Sequence, residues 1–257
     1  MEKLYPQSVL VTGSDRGIGL GLVHRFLEKP NPPKWVFATS LDLASCEGKK
    51  LQSLALEHPN LVALQMDIRD LKSIEAAVKT VEGHVKGSGL NLLINNAGIL
   101  IKFTTLSNET AENMFSLYRT NTIGTLQVSQ AFAPLLKEAA RESTQEGLSC
   151  SKAAIINISS DFASLEKMSG WSLNQVISYR CSKTAVNMLT RCQSLEYKPF
   201  GIFCMSIHPG WVKTVMGTLL VPTSVKDSTT GILEVLSRVS EKDTGSFLDW
   251  EGKVVPW

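Results

Sequence analysis

No apolar run in this sequence is long enough to cross a bilayer. The longest are broken by Asn, Gly or Lys well before the ~20 residues that a spanning helix needs. Charge of one sign is equally scarce. The formal net charge is +2, from 26 Lys and Arg against 24 Asp and Glu, and no basic cluster dominates, which argues against a nucleic-acid or anionic-membrane partner. Cysteine is sparse and odd in number: Cys46, Cys150, Cys181, Cys192 and Cys204, with no two in a zinc-type pair. Neither a disulfide framework nor a metal site is expected, and reduced thiols in a cytoplasmic protein are. The start, MEKLYPQSVLVTG, lacks an apolar stretch followed by a small-residue cleavage site, so no secretory signal is expected. There is no internal repeat and no low-complexity linker.

What remains is a chain of 257 residues, 43% hydrophobic and 19% charged, with material for one buried core. Strand-like and helix-like segments alternate along it. Strands are expected at Ser8–Thr12, Trp35–Thr39, Leu61–Met66, Leu90–Asn95, Ala153–Ile158, Ile202–Ile207 and, more briefly, Gly245–Asp249. Between them, Ile18, Leu22, Val23, Phe26 and Leu27 share one helical face before Pro30. Further helices are expected over Lys49–Glu57, Leu71–Val85, a long stretch from about Ala111 to Ala140, Gln175–Tyr197 and Val225–Val239. LNLLIN and AAIINI are nearly continuous in apolar residues, as strands buried on both faces are. The alternation implies an α/β fold: one Rossmann-type, doubly wound parallel sheet of about seven strands flanked by helices. Residues 1–257 are read as one domain, with a cofactor half over about 1–150 and a catalytic and substrate half over about 151–257. The polar stretches Arg141–Lys152 and Phe162–Gln175 read as loops within it.

Directly after the first strand comes Thr12-Gly13-Ser14-Asp15-Arg16-Gly17-Ile18-Gly19. A strand that enters a glycine-rich turn and then a helix presents free N–H groups and the positive end of a helix dipole to an anion. A Cβ at the glycines would block the approach of a pyrophosphate. In dinucleotide folds an acid about 20 residues further on grips the adenosine ribose and favours NAD. Here Thr39 holds that place, followed by Ser40 and Leu41, with Asp42 past the strand end. Without an acid to repel a 2′-phosphate, and with the Arg16 guanidinium available to pair with one, NADP(H) is favoured over NAD(H).

The motifs then accumulate in order: TGSDRGIG, Asn95-Asn96-Ala97-Gly98, Asn121, Ser160, Tyr179 and Lys183 in YRCSK, and Pro209-Gly210-Trp211-Val212-Lys213-Thr214. The series spans nearly the whole chain and resembles the short-chain dehydrogenase/reductases. IINISS, YRCSKTAVNML, HPGWVKT and FLDWEGKVVPW are similar to the subgroup of C-factor and Sniffer-like carbonyl reductases. The resemblance implies that Gly13, Ser14, Arg16, Gly17, Ile18 and Gly19 cradle cofactor phosphates, and that Asp67 and Ile68 hold the adenine. It implies that Asn95, Ala97 and Gly98 line the ribose side and steady the sheet. Pro209, Val212 and Thr214 would sit at the nicotinamide, and Asn121, Ser160, Tyr179 and Lys183 would form a catalytic tetrad. It also implies a homo-oligomer, dimer or tetramer, built on the long helices around Thr110–Ala140 and Gln175–Tyr197.

Tyr179 and Lys183 are four apart and share a helix face. A tyrosine at its ordinary pKa near 10 is a poor base at neutral pH, and a neighbouring ammonium lowers that value. In the reductive direction Tyr179 would give its proton to the nascent alkoxide, Ser160 would hold the same oxygen, Lys183 would bind the nicotinamide ribose, and Asn121 would fix a water relaying protons to Lys183. Ser159 competes for the serine role, and the family pattern points to Ser160. His24 and His208 read as packing or surface residues, and Cys181 as packing on another helix face. The gap from Ser160 to Tyr179 is longer than is usual in the family, so residues 162–178 should lie over the site, with Met168 and Trp171 against substrate or against the core. Leu41 stands where Sniffer-like sequences often have an arginine. After Thr214, the apolar residues Val215, Met216, Leu219, Leu220 and Val221 are expected to form the substrate loop.

The expected activity is therefore hydride transfer between NADP(H) and a small, hydrophobic carbonyl or alcohol. A dinucleotide-binding regulatory or signalling protein with vestigial turnover is the second reading, and it leaves the Tyr/Lys pair without a use. An extended-type epimerase would need a substrate domain beyond Thr214 that the length does not provide.

Overall fold

The computed structural model describes residues 4–172, 174–214 and 223–257. Seven strands pair in parallel: β1 (Ser8–Val11), β2 (Trp35–Ser40), β3 (Leu61–Gln65), β4 (Leu92–Asn95), β5 (Ala154–Ile158), β6 (Phe203–His208) and β7 (Phe247–Asp249). Their order is β3-β2-β1-β4-β5-β6-β7, so the winding reverses between β1 and β4. That switch point opens a crevice beyond the carboxyl ends of the strands, where ligands of such sheets bind.

Period-two geometry sends alternate side chains to opposite faces, and both faces are apolar. Val9, Val11, Val36, Ile156 and Met205 join one core with Leu22 and Phe26 of α1 (Gly17–Leu27) and Ile232 of α7 (Val225–Leu236). Leu10, Phe37, Leu93, Ile155 and Cys204 join the other, with Ile74 and Val81 of α3 (Leu71–Val85) and Val128 and Phe132 of α5 (Thr125–Glu142). β1, β4 and β5 are buried along their whole length, which is why their sequences show no polar alternation.

Two boundaries differ from the sequence reading for identifiable reasons. β4 begins at Leu92 and not Leu90, because the Leu90 N–H donates to the Leu135 carbonyl at 3.0 Å and the Asn91 N–H to Ser8 Oγ at 3.1 Å. Those donors are turned away from the ladder. The long helix from Ala111 is not uniform: α4 (Ala111–Leu117) passes into a π-helical turn, Tyr118–Gly124, before α5. At its end Gly124 lies so close on Ile68 that a Cβ would come within 2.9 Å of that side chain. π turns of this kind often mark functional positions, and this one carries Asn121.

The remaining long helix, α6 (Ile177–Tyr197), is fixed to the sheet by a polar chain inside the core. Asn95 Nδ2 donates to Asn157 Oδ1 at 2.9 Å; Asn157 Nδ2 donates to Thr190 Oγ1 and Gln193 Oε1, both at 2.8 Å; and Ser206 Oγ donates to Thr190 Oγ1 at 2.7 Å. Such a chain is directional. It sets the rotation of α6, and with it the direction of Tyr179 and Lys183.

Candidate active site

The glycine loop is locked to three strand ends. Gly13 N–H donates to Thr39 Oγ1 at 3.2 Å, while the Ser14 N–H and hydroxyl both reach the Thr39 carbonyl, at 2.7 and 3.2 Å. Asn96 Nδ2 donates to the carbonyls of Thr12 and Gly13 at 2.9 Å, and Thr12 Oγ1 accepts from the N–H groups of Asn96 and Ala97 at 3.0 and 2.9 Å. Gly13 and Gly17 have φ of 60° and 56°, in the region that glycine enters without strain. Arg16 is the exposed N-cap of α1, and among the described residues it makes no ion pair. Gly17 faces Thr214, whose methyl would lie 3.5 Å from an added Cβ, so the loop and the 209–214 segment meet.

Gly19 is the tightest of these positions. A Cβ there would lie 2.3 Å from the Gly13 carbonyl oxygen and 2.6 Å from Asn96 Nδ2. Backbone cannot yield as a side chain can, so Gly19→Ala should cost about 2–3 kcal/mol and lower the melting temperature by roughly 4–12 °C. It should also remove dinucleotide binding. Gly83, in α3 with nothing within 4 Å of an added Cβ, is the contrast: Gly83→Ala should raise stability by up to about 1 kcal/mol. Calorimetry on the two variants tests the pair.

Other residues singled out from the sequence have partly different surroundings. The side chain and carbonyl of Thr39 are engaged by the loop, as above. The sequence reading saw no carboxylate at the end of β2, yet the loop brings one: Ser40 Oγ donates to Asp15 Oδ2 at 2.8 Å. Asp67 accepts both Nε and Nη2 of Arg69, at 3.0 and 2.8 Å, and that bond holds its carboxyl below the usual range. Ile68 is buried in the core against Gly124. Asn95 is interior and Asn96 fixes the loop. Gly98 sits over the Asn121 carboxamide and Lys183 Nζ, which would be 3.1 and 3.6 Å from a Cβ there.

The four residues Asn121, Ser160, Tyr179 and Lys183 converge at the carboxyl ends of β4 and β5. Lys183 Nζ donates to the Ile158 carbonyl at 2.8 Å and lies 5.9 Å from the centre of the Tyr179 ring. Ser160 Oγ accepts the Phe162 N–H at 3.2 Å, and its side chain is close enough to the Tyr179 hydroxyl to favour the phenolate. Ser159 Oγ is buried without a partner among the described residues, so Ser160 is the serine that meets the tyrosine. Asn121 is wholly buried; its Oδ1 accepts the Ile99 N–H at 2.8 Å, and its Nδ2 donates to the Ile99 carbonyl and Ser182 Oγ, both at 3.0 Å.

The charge balance departs from the sequence expectation. Burial pushes the Tyr179 phenol up to about 12, opposed by the Ser160 hydrogen bond. Burial likewise takes the Lys183 ammonium down to about 8. The ammonium is directed at the Ile158 carbonyl and not at the phenol oxygen, so desolvation, rather than the neighbouring charge, sets the tyrosine's acidity.

A cavity of about 150 Å³ runs from Ile18 on the loop side to Ser160 and Tyr179, walled by Leu100, Phe162 and Trp211. Residues 162–178 do cover it, but through Phe162, Ser169 and Gly170. Met168 does not line it. Trp171 lies 5.5 Å from the Arg180 guanidinium, which stacks on Phe162 at 4.4 Å and donates to the carbonyls of Ser169 and Gln175, both at 2.7 Å. Arg180, next to Tyr179 in the chain, thus pins this loop; its partners are backbone carbonyls and rings of the preceding segment, which form no motif. His208 is no mere packing residue either, since it lines the cavity with Asp161. Cys181 is exposed and not packed. Val215, Met216, Leu219, Leu220 and Val221, expected as a substrate loop, lie outside the described residues. No helix among the described residues is long and apolar enough to cross a membrane.

Comparison with known proteins agrees with this geometry. The short chain dehydrogenase family model matches residues 7–224. The short chain dehydrogenase gsfK of Penicillium aethiopicum is 29% identical, over 98% of this chain and 100% of its own length. Among solved structures, an NADPH-bound carbonyl reductase from chicken fatty liver is 55% identical, with a TM-score of 0.97 over 100% of this chain and 96% of that one. The carbonyl reductase Sniffer of D. melanogaster is 36% identical, with a TM-score of 0.93 over 98% of this chain and 100% of its own.

Proposed function

The chain belongs to the short chain dehydrogenase family, and we propose that it reduces apolar carbonyl compounds to alcohols with NADPH. One observation carries the reading: a tyrosine whose phenol is pushed up to about 12 stands with Ser160 on the wall of an apolar cavity that continues to the glycine loop. A group that keeps its proton at neutral pH and faces an enclosed apolar space is a general acid for an oxyanion. The chicken and D. melanogaster proteins that this chain resembles are carbonyl reductases, which supports the same reaction.

The residues present fit the dinucleotide. A Cβ at Gly13 would meet the Ala97 backbone at 2.9 Å, so the loop approaches its neighbours more closely than any side chain would allow, and the positive φ of Gly13 and Gly17 suits a backbone cradle for phosphate. Arg16 leaves a guanidinium exposed at the start of α1, suited to a 2′-phosphate. Gly13, Gly17, Ile18 and Gly19 would hold the phosphates, with Ser14 and Thr39 shaping the loop behind them, and Asp67 would border the adenine. Val212 and Thr214 would face the nicotinamide, and Lys183 the ribose beside it. The hydride would come from NADPH bound in this way. Tyr179 gives its proton to the carbonyl oxygen, Ser160 orients that oxygen, and Lys183 with Asn121 returns a proton to the tyrosine. Phe162 and Trp211 exclude water from the reacting centre.

The test is consumption of NADPH and of NADH with aromatic ketones, quinones, aldehydes and dicarbonyls. Turnover with NADPH is expected. Binding of NADPH without turnover of any carbonyl overturns the reductase reading in favour of a regulatory dinucleotide-binding protein. Arg16→Ala should weaken NADPH binding by about 10- to 100-fold, the range of one charge-assisted phosphate contact. NADH, which has no 2′-phosphate, should change by less than about threefold. Equal losses for both nucleotides, read by calorimetry, would remove Arg16 from 2′-phosphate recognition.

A further inference from the structure

The cavity has one wall that the proposed reaction does not use. Asp161 follows Ser160 directly and opens a short 3-10 turn, Asp161–Ala163. His208, the last residue of β6, stands opposite it, and both line the cavity with Ser160 and Tyr179. The Asp161 N–H donates to His208 Nδ1 at 3.1 Å, so a neutral ring carries its proton on Nε2. That nitrogen is 3.7 Å from Asp161 Oδ1, beyond hydrogen-bonding distance. Among the described residues the Asp161 carboxylate accepts no hydrogen bond, although its side chain is only 21% exposed. Neither neighbouring cation closes on it. Lys167 is close enough to act on His208 but forms no ion pair with Asp161; Arg180 feels the Asp161 charge, yet among the described residues it too forms no ion pair with it, its Nε and Nη2 donating to backbone carbonyls and its Nη1 buried without a partner. The facing walls, Leu100, Phe162 and Trp211, are apolar. A carboxylate enclosed in this way calls for a donor from whatever fills the space. Its charge reaches the reacting hydroxyl as well, since it helps to raise the Tyr179 phenol.

We propose that Asp161, oriented by His208, is a substrate-recognition residue. It selects carbonyl compounds that carry a hydrogen-bond donor, hydroxyl or ammonium, on the arm away from the carbonyl, and it rejects those that carry a carboxylate there. The inference rests on the reading of this cavity as the carbonyl site and deepens it. With the carbonyl held at Ser160 and Tyr179, the body of the substrate lies along the same small cavity and its far group meets Asp161. An ammonium completes an ion pair with a carboxylate that is itself only 21% exposed. A hydroxyl makes one hydrogen bond to the charge. A carboxylate places two like charges together, and an alkyl group leaves Asp161 unpaired.

Four ketones of matched size test this: acetophenone carrying aminomethyl, hydroxymethyl, ethyl or carboxylate at the ring position meta to the acetyl group. Dissociation constants are measured on the NADP-loaded protein, and kcat/KM with NADPH. The aminomethyl ketone should bind about 10- to 100-fold more tightly than the ethyl one, the hydroxymethyl ketone should fall between them, and the carboxylate should be weakest. Asp161→Asn should reduce the aminomethyl-to-ethyl ratio to within about threefold and lift the carboxylate above its wild-type rank. A wild-type ratio within about twofold, or a ratio that Asp161→Asn leaves intact, overturns the proposal. Should that variant fail to fold, the wild-type ranking decides alone. Turnover reports separately on the underlying reading. If none of the four is reduced yet binding keeps this order, the recognition role stands and the reaction does not; if the ethyl ketone is reduced and the order is flat, the reverse holds.

Discussion

Tyr179→Phe should lower kcat/KM for ketone reduction by at least about 1000-fold, near the upper range for loss of a positioned general acid, while NADPH binding stays within about threefold. A loss of that size is about 4 kcal/mol of barrier. The asymmetry follows from what the hydroxyl does. It is buried, it shares the cavity wall with Ser160, and at neutral pH it keeps its proton, because burial has pushed it up to about 12. Removing one oxygen leaves the ring, its edge contact with Phe162 at 6.4 Å and the fold of α6 in place, so thermal stability should shift little. The oxyanion formed on hydride arrival then has only Ser160 to stabilise it. The same high value predicts a direction. A phenol near 12 is almost wholly protonated at neutral pH, so the donor form is fully populated while the phenolate that alcohol oxidation needs is scarce; oxidation should therefore be slow at neutral pH and rise steeply in alkaline solution, whereas reduction should not need alkali. Stopped-flow measurement of both directions settles it. A decline of less than about tenfold for Tyr179→Phe would mean that the proton comes from elsewhere.

Much of this was legible in the residues. LNLLIN and AAIINI announce strands with two apolar faces because both faces are in fact covered, and α3 begins and ends at Leu71 and Val85 as its periodicity says. The glycine loop and the Tyr179–Lys183 pair are local patterns, and local patterns survive translation into structure. What was hidden is what the fold brings together from afar. Asp15 meets Ser40 across 25 residues, so counting from β2 alone could not place that acid. The π turn at Tyr118–Gly124 has no distinct period in seven residues, and the close approach of Gly124 to Ile68 at its end joins positions far apart in the chain. His208 reads as a packing or surface residue from its own segment; its partner, Asp161, is 47 residues away. Arg180 stood inside the tyrosine motif, but its function is to hold carbonyls of a loop whose path the sequence does not give. The surroundings of the Tyr179 hydroxyl were hidden for the same reason. Spacing places Lys183 on the same helix face, and only the three-dimensional structure directs its ammonium to the Ile158 carbonyl.

Lys183 should impose the second large effect, and its sign can be worked out. Burial lowers its ammonium from 10.5 to about 8, so the charged form needed to bind a ribose hydroxyl and resupply Tyr179 is lost as pH rises through about 8. The kcat/KM for reduction should fall across that value. Lys183→Arg, whose guanidinium stays charged, should move the fall to higher pH at some cost in rate. Lys183→Met should abolish it while lowering kcat/KM by at least about 100-fold. Folding stability without nucleotide gives an independent reading. A lysine whose folded value lies below its unfolded one binds its proton more tightly when unfolded, so the unfolded state carries more protons between about 8 and 10.5. Stability therefore rises with pH across that window, and the whole penalty, about 3 kcal/mol at 1.4 kcal/mol for each tenfold, is present below it. Lys183→Met has no such penalty. It does leave the Ile158 carbonyl without its donor, but that loss is the same at every pH and cancels in the comparison. Urea unfolding of both proteins at pH 6.5 and pH 10.5 should show the wild type gaining on the variant by about 2–3 kcal/mol. A difference that does not change with pH would mean that Lys183 keeps an ordinary ammonium in the fold, and the fall in activity near 8 would then belong to another group.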